Sequence, residues 1–110
     1  NRLHVDTKVN ERTLQEIYYP AFRQSVQRAD VYSVMGAYNR LNGTYCCENN
    51  LLLKEVLRDQ WGFEGIVISD WGAVHNTLDA GQVALDIEMS VFDNFDEYCL
   101  AEPLKQRNLG

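Results

Sequence analysis

The sequence predicts an α/β fold in which helices alternate with parallel strands. Three observations carry this expectation. Ile66-Val67-Ile68 is β-branched and wholly apolar, and residues 31–38 are nearly all apolar, as in strands covered on both faces. Residues 50–61 between them repeat apolar side chains at helical spacing. No repeat, low-complexity tract or linker interrupts the pattern, so residues 1–110 are read as one piece of one domain.

The first helix is expected over 13–28. Leu14, Ile17, Ala21, Phe22 and Val26 share one face, and Thr13 with Glu16 matches a capping box. Pro20 lacks an N–H and should kink or split that helix. Residues 31–38 then form a strand, and residues 39–49 a polar loop turning at Asn42-Gly43. Asn50 is expected to cap a helix running to about Trp61, with Leu53, Val56, Leu57 and Trp61 inward and Gly62 as a left-handed stop. Residues 65–70 form the clearest strand. Asn76 opens a short helix to about Val83, residues 85–89 form a third strand, and Asn94 with Glu97 opens a last helix disturbed by Pro103.

Buried strands separated by helices imply a parallel sheet with right-handed crossovers. Two architectures satisfy this: an open doubly wound sheet and part of an eight-stranded barrel. Three strands cannot close a barrel, and they leave bare edges. The chain is therefore read either as a fragment or as a piece that pairs with copies of itself through those edges.

Composition narrows the function. Net charge is -6, and the ten Lys and Arg form no basic stripe, which disfavours nucleic acid as a partner. No run approaches the roughly 20 apolar residues of a membrane span. No basic-then-apolar leader opens the chain. Three cysteines, two of them adjacent (Cys46, Cys47 and Cys99), do not suggest a disulfide framework; the reading leans to a reducing, cytoplasmic setting. His4 and His75 are far apart, and no zinc-ligand spacing occurs, so neither metal nor cofactor is expected. Asn42-Gly43-Thr44 matches a glycosylation sequon but reads better as a turn.

In parallel α/β folds, ligands lie at the carboxyl ends of strands. Those ends carry Tyr38-Asn39, Ser69-Asp70-Trp71 and Glu88-Met89. No Gly-rich phosphate cradle accompanies them. Carboxylates beside aromatic rings suit sugar chemistry: glycoside cleavage needs a carboxylate at the anomeric carbon and a second carboxyl as proton donor. An indole can cover the apolar face of a pyranose. From spacing alone, Asp70 reads more readily as a helix cap or turn residue. Met35 has two readings, a substrate contact and core packing. Glu88 reads as a loop-holding residue, His75 as a loop or cap residue, Cys46 and Cys47 as loop or core thiols, and Arg58 as an ion-pair partner.

Several segments resemble glycoside hydrolase family 3 of the β-glucosidase type. Val34-Met35-Gly36-Ala37-Tyr38-Asn39-Arg40-Leu41-Asn42-Gly43 is similar to that family's "V-M-x-x-Y-N-x-x-N-G". Leu57-Arg58 through Gly62-Phe63-Glu64-Gly65 to Ser69-Asp70-Trp71 resembles "L-R-x-x-x-G-F-x-G-x-V-x-S-D-W". Upstream, Glu11-Arg12 through Glu16-Ile17-Tyr18-Tyr19-Pro20-Ala21-Phe22 resembles "E-R-x-L-x-E-I-Y-x-P-x-F", and Asp86-Ile87-Glu88-Met89 matches "D-x-E-M". The family's Pro after that last motif is Ser90 here.

The resemblance implies a (β/α)₈ TIM barrel, of which this chain is a fragment from roughly the C-terminal half. It implies hydrolysis of β-glucosides or oligosaccharides with retention of configuration. It assigns Asp70 as nucleophile, Trp71 to the sugar site and Tyr38 to a place beside the nucleophile. Trp71-Gly72-Ala73-Val74 favours a glucosidase over the xylosidase and hexosaminidase branches. The family's Lys-His substrate pair would precede Asn1, and its acid/base Glu would come from a second domain downstream. The isolated chain is therefore expected to be inactive; the competing reading is a non-catalytic, self-associating fragment.

Overall fold

Two parallel strands, β2 (Ser33–Gly36) and β5 (Ile66–Ser69), form the centre of the chain. Around them the computed structural model describes residues 1–89. The expected last helix at Asn94, with Pro103, lies outside the described residues.

The chain enters through β1 (Asp6–Thr7) and a helical stretch in three parts: α1 (Glu11–Thr13), a π-helical turn (Leu14–Tyr18) and α2 (Tyr19–Gln27). Asn10, not Thr13, caps it. Asn10 is extended and its Oδ1 accepts from the Thr13 N–H at 2.9 Å, whereas Thr13 is already helical. Glu16 instead accepts from Arg12 Nε at 2.8 Å. The split predicted from Pro20 is present: Pro20 lies in the first turn of α2 and has no N–H to give. The turn before it widens, with Tyr19 N–H donating to Leu14 O. The extra residue rotates the helix face. Leu14, Tyr19 and Val26 are buried, while Ile17 and Phe22 are 68% and 59% exposed, against the regular-helix expectation.

Residues 39–49 do more than turn. β3 (Arg40–Leu41) and β4 (Thr44–Tyr45) form a short antiparallel hairpin, and β1 adds to it in parallel. The turn residues Asn42 and Gly43 both have positive φ, 52° and 100°, as a two-residue hairpin demands. Asn42 also ties this turn to β1's end, accepting from Val9 N–H at 2.9 Å and donating to Val9 O at 2.7 Å. Neither contact is visible in local pattern, because both span more than thirty residues.

A 3-10 turn (Cys46–Glu48) leads into the second long helix, which is π-wound (Leu51–Gln60). Its cap is Asn49 rather than Asn50: Asn49 Oδ1 accepts from Leu52 N–H at 3.2 Å, while Asn50 is already helical and donates to Glu55 at 2.8 Å. Leu53, Val56 and Leu57 face inward as their spacing predicts. Gly62 ends the helix at φ +72°.

β2 and β5 pair in register from Ser33↔Ile66 to Gly36↔Ser69. The predicted third strand is reduced to a single parallel bridge, Ile68↔Ile87. Before it, α3 (Thr77–Gln82) starts at Asn76, whose Oδ1 accepts from Leu78 and Asp79, as expected.

The expectation of strands covered on both faces holds for one face. Val67 and Ser69 are fully buried against the helices, in a core with Leu53, Leu57 and Phe63. On the other face Met35 and Ile66 are 61% and 46% exposed. Nothing among the described residues covers them.

Arg58 fastens this layer together. Its guanidinium donates to the carbonyls of Phe63 (3.1 Å) and Gly65 (2.6 Å) and to Asp86 Oδ2 (2.6 Å). The same Asp86 oxygen accepts from Val67 N–H at 2.7 Å. The ion pair expected of Arg58 is thus present, but it lies inside a network that holds β5 rather than on the surface.

Candidate active site

The register of β2 and β5 places their carboxyl ends side by side. Asp70 N–H donates to Gly36 O at 3.2 Å, so the chain leaves β5 beside the residues that leave β2. Tyr38 is two residues beyond Gly36, and its phenol lies near the Asp70 carboxylate. The phenol pKa is raised, first by burial and then by the Asp70 carboxylate; the Arg2 cation opposes the shift. The Arg2 guanidinium lies 5.3 Å from the centre of the Tyr38 ring.

Asp70 is half-buried, and its Oδ1 also accepts from Trp71 N–H at 2.8 Å. Trp71 is 48% exposed on the same edge. Strand alternation puts Met35, opposite Ile68, on the uncovered face of the sheet. Met35 is 61% exposed there, outside the core that the described residues form. Tyr38, Asp70 and Trp71 gather at one edge; Met35 lies about one strand turn below them on the open face.

Beneath this edge sits a buried joint that sequence reasoning passed over as loop. Cys46, Cys47, Glu48 and Asn49 are all under 10% exposed. Cys47 is completely buried, with its thiol donating to Ala37 O at 3.7 Å and lying near Asp70. It fits because residue 36 is glycine: a Cβ there would lie 2.5 Å from Cys47 Sγ. Glu48 Oε1 accepts from the backbone N–H groups of His75 and of Asn76, the latter at 2.6 Å. The signal that could have found this joint is a run of small and amide side chains directly before an apolar helix. That signal is weak, because the same residues populate exposed loops.

Above the joint, His75 stacks on Tyr45 with ring centres 3.8 Å apart, and Arg40 covers the same Tyr45 ring at 4.5 Å. Burial lowers the His75 pKa, so the imidazole is neutral at neutral pH.

The Cys47 thiol is pushed up to about 12, mainly by burial. Its ordinary value is 9.0, so between those values the unfolded chain loses a proton that the folded chain keeps. Stability should therefore fall as pH rises through that window. Denaturant titrations at a series of alkaline pH values check this, and Cys47→Ala should flatten the slope.

Residues 3–96 match the Glycosyl hydrolase family 3 N terminal domain. The chain is 44% identical to thermostable beta-glucosidase B of Acetivibrio thermocellus over 109 residues, 99% of this chain and 14% of that protein. It is 48% identical to an exo-alpha-(1->6)-L-arabinopyranosidase of Bifidobacterium breve over 89 residues, 81% of this chain and 12% of that protein. It superposes on beta-glucosidase 3B from Thermotoga neapolitana, solved in complex with glucose, with a TM-score of 0.89 at 43% identity, over 100% of this chain and 16% of that one. The chain thus spans less than a fifth of the length of these proteins. The order of its motifs, its parallel β2–β5 pair and the match over residues 3–96 agree: the chain belongs to glycosyl hydrolase family 3, as a segment of that family's N-terminal domain.

Proposed function

We propose that the protein to which residues 1–110 belong is a retaining β-glucosidase with Asp70 as its nucleophile. One observation carries the reading. The Asp70 carboxylate stands at the carboxyl end of a parallel strand, with the Tyr38 phenol near it just beyond the end of the neighbouring strand. Trp71 lies beside it, exposed enough to stack on a sugar.

In the first step an Asp70 oxygen bonds to the anomeric carbon as the bond to the leaving oxygen breaks. A carboxylic acid from another part of the protein gives that oxygen its proton. In the second step the same group takes a proton from water, which displaces Asp70 and releases the sugar. For retention, the two carboxyls stand about 5–5.5 Å apart. The Tyr38 hydroxyl holds Asp70 at the angle of attack, Trp71 binds the sugar or its aglycone, and Met35 contacts substrate from the open face.

The same reading supplies the rest of the architecture: residues 1–110 form part of a (β/α)₈ barrel. Supporting it is the exposed Ile66 on the open face of the sheet, which a closed barrel would bury in its interior. A cleft of about 430 Å³ between the two long helices, lined by Phe22, Val34, Met35 and Trp61, runs along β2 where another strand would fit.

A second reading has a specific basis, the 48% identity to an arabinopyranosidase. Both are tested by assaying aryl β-D-glucoside and aryl α-L-arabinopyranoside with the full-length protein and with residues 1–110 alone. The full-length protein should prefer the glucoside, and NMR of the first-formed sugar should show β configuration. The short chain should be inactive, for lack of a proton donor. Hydrolysis by the short chain, or an α product, contradicts the proposal.

A further inference from the structure

We infer that Glu48 is a positioning residue for the sugar site, holding the segment from Trp71 to Asn76 in place from below. The inference rests on the proposed glycosidase reading and goes beyond it, since the side-chain hydrogen bonds of Glu48 run to the His75 and Asn76 backbone rather than to the Asp70 carboxylate.

Glu48 is 8% exposed, and a carboxylate is not buried without strong partners. The partners it has are two successive backbone N–H groups, those of His75 and Asn76, both on Oε1. These lie 27 and 28 residues away in sequence, at the far end of the loop that starts at Trp71. That loop is held at several further points. Ala73 N–H donates to Asp70 O at 3.2 Å, and Gly72 N–H donates to Met89 O at 2.8 Å. Ala73 and Val74 are buried at 0% and 2%. The loop is thus pinned next to Asp70 by its own backbone and at its far end by one carboxylate oxygen.

Glu48 is itself rigid, for three reasons. Cys47 before it is completely buried, packed against Gly36 and bonded to Ala37 O. Asn49 after it caps the second long helix and donates to Leu41 O at 3.5 Å. The turn that carries all three is short and buried. A displacement at Glu48 therefore passes along the loop toward Trp71, while the Asp70 N–H keeps its own bond to Gly36 O. Substrate affinity should respond more than the chemical step.

The test uses the full-length enzyme and four variants: Glu48→Gln, Glu48→Ala, Glu48→Asp and, as a control, Asp70→Ala. Active sites are titrated with a slow 2-deoxy-2-fluoro glucoside, so that kcat and KM refer to correctly folded molecules. Glu48→Gln keeps an acceptor oxygen and should stay within about threefold of wild type in KM. Glu48→Ala should raise KM about tenfold or more, with kcat per titrated site changing less. Glu48→Asp, which withdraws the oxygen by one methylene while keeping the charge, should behave like Glu48→Ala; it carries the test if the alanine variant does not fold.

A role in stability alone predicts fewer titratable sites with unchanged KM in both Ala and Asp variants, and that result overturns the inference. So does a Gln variant as impaired in KM as the Ala variant. If Asp70→Ala keeps wild-type turnover, the glycosidase assignment fails instead, and the two failures are told apart.

Discussion

Replacing Asp70 with alanine in the full-length enzyme should lower kcat on aryl β-glucosides by about 10⁴-fold or more, on the scale of nucleophile deletions in other covalent enzymes. Asp70 would supply the bond that captures the anomeric carbon, and no neighbour can replace it. The Tyr38 phenol is near, but burial and the Asp70 carboxylate raise its pKa and keep it protonated. A small external anion should partly restore turnover of a substrate with a good leaving group. Azide entering the cavity left by the carboxylate would attack from the face that Asp70 occupied and give a glycosyl azide of inverted configuration. Chemical rescue with inversion separates loss of a nucleophile from loss of fold. KM should change far less than kcat, because the substrate contacts assigned to Trp71 and Met35 remain.

Arg58→Ala should be strongly destabilising, on the scale of truncating a buried core residue. It removes a donor from the Phe63 and Gly65 carbonyls and strands Asp86, whose Oδ2 also accepts from Val67 on β5. The Arg58 side chain is 18% exposed, and that of Asp86 44%, so water screens part of the ion pair, and its Coulombic share is discounted. What remains is a charged donor taken from several acceptors, which costs about 2–4 kcal/mol. Thermal unfolding of the full-length protein should show a Tm lower by several degrees. Arg58→Lys should recover less than half, because a single ammonium cannot span carbonyls and a carboxylate that a planar fork reaches together. A stability within about 0.5 kcal/mol of wild type for Arg58→Ala would show that the network carries no weight.

The elements that sequence pattern made legible are those whose cause is local. β5 follows from three apolar β-branched residues, and the helix at 51–60 from the spacing of Leu53, Val56 and Leu57. The stops at Gly62 and the turn at Asn42-Gly43 follow from positive φ. What pattern missed depends on contacts between distant parts. Asn10 and Asn49 took the caps assigned to Thr13 and Asn50, since cap choice depends on which residue is still extended when the helix starts. The π-helical turn before Pro20 moved the buried face from Ile17 and Phe22 to Tyr19, a phase change that a regular 3.6 period cannot show.

The candidate site divides the same way. Tyr38, Asp70 and Trp71 were legible because the carboxyl ends of parallel strands are where ligands bind, and the family motifs named the same three. Glu48 and Cys47 were not, because their partners, Asp70, His75 and Asn76, lie more than twenty residues away. Arg58 was read as an ordinary ion pair for the same reason; its carbonyl acceptors are fixed only once Gly65 and β5 fold back onto the helix.

The central claim is that Asp70 forms the covalent bond to the sugar, and mass spectrometry of the trapped intermediate tests it most directly. The full-length enzyme is inactivated with a 2-deoxy-2-fluoro-β-glucosyl fluoride, digested, and the labelled peptide sequenced. The account predicts one fluoroglucosyl group on the peptide spanning Ile66 to Trp71, attached at Asp70. A label on any other carboxylate, or inactivation of the Asp70→Ala variant at the wild-type rate, would contradict it.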